Sequence, residues 1–398
     1  MRAIVPIGPF HPLQEEPEHF RLHVDGETVV GLDIEIGYNH RGIEKLAESR
    51  TWDQVVFLVE RICGICSTSH PIASVQAMED CGKIEVPERA LYIRSIIGEL
   101  ERLHSHLLWV GLAGHFLGYN TVFMWAWRYR EPVCDLFEKI CGNRQHYAMM
   151  KPGGVRRDIP ESMYDEIVKV MDDLVPAFDL FKGAVLDDPV LHARLKGVGV
   201  LTPKDIHDYC ALGPTARASG VAKDVRRDHP YAAYGKVDWN VITHPAGDVF
   251  AKAVVRVLEC YESAKIIKQC VQKMPRGPID SDPKQIGPGE GIGHHEAPRG
   301  ETFHYCRSDG SNRPVRYKVR APTYMNLPTN YRAVIGQSVT DATIILAAID
   351  PCYCCTERVS AVDRRTGELK YTPKDLIRLS REKTEQLRRE YGVKEPVL

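Results

Sequence analysis

Arg61-Ile62-Cys63-Gly64-Ile65-Cys66-Ser67-Thr68-Ser69-His70, early in the chain, and Asp350-Pro351-Cys352-Tyr353-Cys354-Cys355, near its end, govern how everything between them is read. Each contains a C-x-x-C step, the spacing at which two sulfurs turn toward one metal. Each follows an apolar run, residues 55–58 for the first and 344–349 for the second, and each is marked by Gly or Pro. Both pairs are therefore expected in loops or at helix ends, where two thiolates can point the same way without breaking an element. Four sulfurs presented like this suit zinc, an iron–sulfur cluster, or nickel with iron. A structural zinc module usually closes a short loop, whereas 286 positions separate Cys66 from Cys352. That separation suits an active site, although cysteine spacing alone leaves a structural and a catalytic metal equally open.

The neighbouring residues carry a resemblance. R-I-C-G-I-C-S-T-S-H, ending in His70, resembles the N-terminal signature of nickel–iron hydrogenase large subunits, and D-P-C-Y-C-C-T-E-R resembles their C-terminal one. Residues 37–48 (G-Y-N-H-R-G-I-E-K-L-A-E), 151–158 (K-P-G-G-V-R-R-D), 296–301 (E-A-P-R-G-E) and 308–327 (S-D-G-S-N-R-P-V-R-Y-K-V-R-A-P-T-Y-M-N-L) are similar to the quinone-proximal catalytic subunit of respiratory complex I. Complex I subunits have lost the cysteines; this sequence keeps all four. The group that combines both sets of features is the membrane-associated, energy-converting hydrogenases, which include the formate-hydrogenlyase type. The likeness runs from about residue 4 to about residue 380.

The resemblance implies an α+β, mainly helical fold, with a central helix bundle and peripheral antiparallel β-hairpins. It implies that Cys63 and Cys352 bind nickel terminally, and that Cys66 and Cys355 bridge nickel to an iron carrying cyanide and carbon monoxide. Thiolates suit both roles, since they donate electron density and a terminal one can also take up a proton. Arg299, with Pro298 beside it, is expected over the open side of the centre as general base or fixed electrostatic partner. Pro322 and Thr323 are expected to line the diatomic ligands, and His70 to hydrogen-bond a bridging sulfur. Glu16 is the expected proton relay, with Glu15 as the alternative, because a buried carboxyl can cycle protons at modest cost. Glu44, in R-G-I-E, is read either as a magnesium ligand or as half of a buried ion pair. Many hydrogenases are trimmed after a His or Arg three residues past the last metal cysteine, a position that Arg358 holds.

The implied activity is reversible conversion of H2 to two protons and two electrons. Beyond the four metal cysteines no clustered set remains for an iron–sulfur cluster in this chain. An iron–sulfur small subunit is therefore expected as partner, with further hydrophilic subunits and membrane subunits that pump ions. Ferredoxin is the expected redox partner, with formate through a dehydrogenase, or carbon monoxide, as alternatives. Two other classes stay open: a complex-I-like sulfur- or quinone-reducing subunit, and a non-catalytic scaffold with structural zinc.

Composition sets wider bounds. The 398 residues are 43% hydrophobic and 26% charged, enough for a large core in one or two packed lobes. A formal net charge of −1 gives no support to nucleic-acid binding or to a polybasic membrane patch. No apolar run reaches the roughly 18 residues of a membrane span, and no leader pattern opens the chain. A cytoplasmic protein, soluble by itself, is expected, held at the cytoplasmic face of a membrane through its partners. Twelve cysteines without an export signal indicate a reducing compartment. Of the eight outside the two pairs, most are expected as small buried residues, with Cys354 aimed away from the metal.

Alternation over residues 21–37 predicts a β-hairpin turning at Asp25-Gly26. Over residues 90–116, Ile93, Ile96, Ile97, Leu100, Leu103, Leu107 and Val110 recur at helical steps between Pro87 and Gly118. Residues 121–140, 163–181 and 249–274 repeat the pattern, giving a helical bundle. His104, His106 and His115 are read as packed or hydrogen-bonded core histidines. Residues 278–294, rich in Gly, Pro and Asp, read as a loop or lobe junction, and their glycines lack the Lys-Ser/Thr of a phosphate loop. Strand-like alternation over 301–320 is broken by a turn at 308–312. A hairpin over 359–371 and a helix capped by Thr372, with Pro373 at its first position, form the tail. The expected regions are 1–50 (N-terminal loop and hairpin), 51–278 (bundle), 279–358 (β-rich segment and second pair) and 359–398 (tail).

Overall fold

The computed structural model describes residues 2–11, 14–356, 361–363 and 365–392. It opens with an antiparallel sheet of β1 (Arg2–Ile7), β2 (His19–Asp25) and β3 (Thr28–Glu35), in that spatial order. The β2–β3 turn falls at Asp25-Gly26, as the alternation requires, with Gly26 in the left-handed region at φ 62°. Phe20, Leu22, Val24 and Val29 are buried beneath the sheet. Strand β1 was not foreseen. Its Pro6 removes a backbone donor and reads against a strand, but β1 is an edge strand, where that loss is tolerated.

Helix α1 (Trp52–Glu60) starts at a Thr51/Gln54 capping box and ends just before the first cysteine pair. Helix α2 (Ser69–Gly82) leaves from the other side of that pair. Then come α3 (Glu88–Phe116), α4 (Asn120–Cys141), α5 (Tyr164–Asp187) and α6 (Val249–Lys273), the expected bundle. Helix α3 packs on both α4 and α6 and is buried nearly all round, so it forms the bundle's axis. Its interior charges are paired: Arg94 grips Glu79 at 2.6 and 2.9 Å, and Glu99 meets Arg226 at 3.0 Å and Arg102 at 3.2 Å. His104 and His106 are buried, the latter 2.8 Å from Glu259. His115 differs from expectation: it lies exposed on the last turn and bonds the Asn120 side chain at 2.8 Å.

A second antiparallel sheet comprises β4 (Gly289–Ala297), β5 (Gly300–Ser308) and β6 (Arg316–Arg320). Strand β4 begins inside the segment read as a loop. Its glycines serve close packing instead of a turn: a Cβ on Gly291 would lie 2.1 Å from the Ala77 carbonyl oxygen, and one on Gly293 would lie 2.1 Å from that of Ala73. The backbone of β4 therefore lies directly against α2, which only residues without a Cβ permit. Helix α7 (Val339–Ala347) leads into the second cysteine pair. A hairpin of Ala361–Val362 with Leu369–Tyr371 follows, then α8 (Pro373–Tyr391), capped by Thr372. Arg358 lies outside the described residues. No described helix is long and apolar enough to cross a membrane. Cys81, Cys134, Cys141, Cys260, Cys270 and Cys306 are buried as expected, whereas Cys210 is exposed.

Gly293→Ala is expected to cost about 2 kcal/mol or more by forcing β4 off α2. Gly287, where an added Cβ would meet nothing within 4 Å, serves as the control. Chemical denaturation should show a lowered midpoint for Gly293→Ala and an unchanged one for Gly287→Ala; equal midpoints would contradict the close strand–helix contact.

Candidate metal centre

Cys63, Cys66, Cys352 and Cys355 are all buried, and their four sulfurs lie within 4.8 Å of one another. Cys63 Sγ is 3.3 Å from Cys352 Sγ, Cys66 Sγ is 3.5 Å from Cys355 Sγ, and Cys352 and Cys355 approach to 2.6 Å. Tetrahedral ligation at a metal–sulfur distance of about 2.3 Å would set sulfurs about 3.8 Å apart, so the cluster has the dimensions of a metal site. Local backbone holds each pair. The Ile65 and Cys66 N–H groups donate to Cys63 Sγ at 3.2 and 3.4 Å, and the Cys352 N–H donates to Thr323 Oγ1 at 3.1 Å. Hydrogen bonds from Cys352, Cys355 and Cys66 hold the Cys63 thiol well below its ordinary range. Burial pushes the Cys352 and Cys355 thiols well up. Ionisation of further thiols in so buried a cluster calls for a cation.

Arg299 is wholly buried behind these sulfurs. Its Nε donates to the Asp350 carbonyl at 2.7 Å, and its Nη2 lies 2.9 Å from Asp350 Oδ1. Its Nη1 is buried with no hydrogen-bond partner. Burial pulls the guanidinium's pKa down, but Asp350, with Cys352, Cys66 and Cys63, raises it well above its ordinary value, so Arg299 stays a cation facing the thiols' field. A soft four-sulfur donor set beside a buried guanidinium with a spare donor fits a metal that carries anionic or polar ligands of its own. Pro298, Pro322 and Thr323 are buried in the same region. Glu16 accepts the Cys354 N–H at 2.7 Å through Oε2, while its Oε1 lies 3.9 Å from Cys352 Sγ. Burial, then the charge of Cys63, raises its carboxyl. Glu15 lines an inner cavity with Trp109, Pro351 and Tyr353, burial raising its carboxyl to about 8, and both acids line a surface depression with Phe10 and His11. His70 Nε2 is 3.4 Å from Cys355 Sγ, and burial lowers its pKa to about 4, leaving a neutral ring. Cys354 belongs to no part of the sulfur cluster.

Glu44 accepts from Lys318 Nζ at 2.6 Å and from the Val319 N–H at 3.0 Å. Among the described residues the four cysteines form the one convergent group of three or more His, Cys, Asp or Glu. The Glu44–Lys318 ion pair is present, although it is partly exposed and not buried.

Residues 117–288 and 282–358 match the family model of the respiratory-chain NADH dehydrogenase 49 Kd subunit, and residues 41–112 match that of nickel-dependent hydrogenases. The chain is 41% identical over 404 residues to the membrane-bound hydrogenase subunit alpha of Pyrococcus furiosus, covering 96% of this chain and 93% of that one. It belongs to the nickel-dependent hydrogenase and complex I 49 kDa subunit family. Within that family it is also 40% identical to the carbon monoxide-induced hydrogenase of Rhodospirillum rubrum, over 89% of this chain and 99% of that one. The solved membrane-bound sulfane sulfur reductase, an archaeal respiratory membrane complex, contains a chain that superposes with a TM-score of 0.86 at 32% identity, covering 90% of this chain and 98% of that one. The chain is therefore a hydrogenase large-subunit-like member of the complex I-related, energy-converting group, in an oxidoreductase family.

Three residues that sequence reasoning left without a role hold this chain's two cysteine loops together. Asp350, in left-handed backbone at φ 56°, anchors Arg299 through both its carbonyl and its carboxylate. Glu101, from the axial helix α3, accepts the Thr68 N–H at 2.5 Å and the Ser69 N–H at 3.0 Å, capping α2 just past Cys66. Arg41 donates to four carbonyls: Asn39 at 3.1 Å, Arg61 at 2.8 Å, Ile62 at 2.8 Å and Cys354 at 3.2 Å. It ties the residue before Cys63 to the residue before Cys355. Its motif was visible, but backbone acceptors leave no mark in a sequence. Arg41→Gln should weaken Co(II) binding by the four thiols about 10- to 100-fold, read by anaerobic titration of the thiolate-to-cobalt absorption. An unchanged affinity would show that the two loops hold their spacing without it.

Proposed function

We propose that this chain is the catalytic subunit of a [NiFe]-hydrogenase that interconverts H2 with two protons and two electrons. The observation that carries the reading is the complete, buried set of four converging thiols beside Arg299. Cys63, Cys66, Cys352 and Cys355 would together hold nickel and an iron bearing cyanide and carbon monoxide. Bound there, such a centre supplies heterolytic cleavage of H2 and accepts its electrons. Arg299, fixed by Asp350, places a permanent positive charge at the centre's edge and stabilises negative charge that develops there. Pro298, Pro322 and Thr323, buried in the same region, would line the side on which the iron's diatomic ligands would sit. The Cys352 sulfur holds the released proton and passes it to Glu16 Oε1, 3.9 Å away in the resting geometry. Glu16, whose carboxyl pKa burial raises, hands it to the surface depression that Glu15 also lines.

Electrons leave through a partner. Among the described residues no second cysteine group converges, so an iron–sulfur subunit must take them up, with ferredoxin as the redox partner in the first instance and formate or carbon monoxide as other sources. Membrane subunits would hold the chain at the cytoplasmic face and couple the reaction to ion translocation. The likeness to the sulfane sulfur reductase supports a second reading, in which the same scaffold reduces sulfur. The two separate on hydrogen/deuterium exchange with D2 by the native complex. Exchange is expected, and Glu16→Gln should lower it about 10²-fold or more with metal content unchanged. A complex that reduces polysulfide and exchanges no deuterium would overturn the hydrogenase reading.

A further inference from the structure

A row of buried polar groups runs from the second cysteine pair into the second sheet, away from Glu16. His70 Nε2 faces Cys355 Sγ at 3.4 Å, and its Nδ1 faces His304 Nε2 at 3.0 Å. His304 Nδ1 lies 2.8 Å from the Tyr317 hydroxyl, which donates to Ser74 Oγ at 2.6 Å. All four side chains are fully buried. His70 and Ser74 sit one turn apart on α2, while His304 and Tyr317 come from the adjacent strands β5 and β6.

An uncharged imidazole carries one N–H and one lone pair, and a hydroxyl donates once. Along such a row every donor must point the same way, because a single reversal would set two lone pairs or two N–H groups face to face at about 3 Å. Direction is thus a property of the row as a whole. The hydroxyls of Tyr317 and Ser74 can turn to serve either direction. A metal-bound sulfur is a thiolate and can only accept. It selects the direction in which the Tyr317 hydroxyl turns from Ser74 Oγ to donate to His304 Nδ1, His304 Nε2–H donates to His70 Nδ1, and His70 Nε2–H donates to Cys355.

We propose that His304 and Tyr317 are positioning residues that fix His70 as its Nε2–H tautomer and aim its one hydrogen bond at the Cys355 sulfur, moderating that ligand's electron donation to the metal. The proposal rests on the reading of the four thiols as a metal centre. No proton is gained or lost in it; only the sense of the row is set. Two ligands that share one C-x-x-C step therefore differ: Cys355 accepts a fixed hydrogen bond, and Cys352 faces a carboxyl.

The test uses the full chain loaded anaerobically with Co(II), whose thiolate charge-transfer band reports electron donation by sulfur, together with ¹⁵N spectra of histidine-labelled protein. In the wild type both His70 and His304 should carry their proton on Nε2. Tyr317→Phe keeps the ring and removes the donor to His304; it should move the charge-transfer band to lower energy and populate the Nδ1–H form of His304. Ser74→Ala leaves the Tyr317 donor in place and should keep the wild-type tautomers. Nδ1–H on either histidine in the loaded wild type, or a band unmoved by Tyr317→Phe, would overturn the proposal. A wild-type protein with no thiolate-to-cobalt band at all would instead overturn the metal reading beneath it.

Discussion

Mutual repulsion among four sulfur ligands, drawn within 4.8 Å in a buried pocket, is the constraint that the surrounding structure meets. Two loops whose cysteines stand 286 positions apart will not stay at that distance through their own contacts. They are tied from behind by groups that leave the sulfurs free. Arg41 joins the carbonyls of Ile62 and Cys354, Asp350 turns the second loop and receives Arg299, and Glu101 caps the helix that leaves the first. Buried charge without a counter-charge is costly. A cation among the sulfurs relieves that cost, so binding of metal and closure of the two loops reinforce each other.

Around this centre the neighbours are sorted by chemistry. Cys352 faces Glu16, a titratable group on a loop that opens to the surface. Cys355 faces His70 and a row of neutral groups that ends inside the protein. Arg299 supplies fixed charge from a third direction. The axial helix α3 lets this sorting persist: it sits between α4 and α6, and its own charges are matched by Arg94–Glu79 and by Glu99 with Arg102 and Arg226. A rigid axis matters where a displacement of a fraction of an ångström would part a proton donor from its acceptor.

The long helices, the first hairpin, the Thr372 cap and the convergence of the two cysteine pairs were all legible in the sequence, because periodicity, capping residues and ligand chemistry are written in side chains. What escaped was decided by backbone. Strand β1 was hidden by Pro6, a residue tolerated only because the strand lies at an edge. The glycines of β4 read as a loop, since a glycine needed for close approach to α2 looks the same as one needed for a turn. His115 followed the helical period but fell on the exposed final turn. Arg41 and Asp350 lay inside recognised motifs, yet their partners are main-chain carbonyls, which no residue pattern announces.

The most direct test of the central claim, that the four thiols hold a nickel–iron centre, is metal analysis of the anaerobically purified native protein with infrared spectroscopy of the same sample. Nickel and iron near one each per chain, with cyanide and carbon monoxide stretches, is the predicted result. Zinc alone in the four-thiol site, with a silent infrared window, would contradict it.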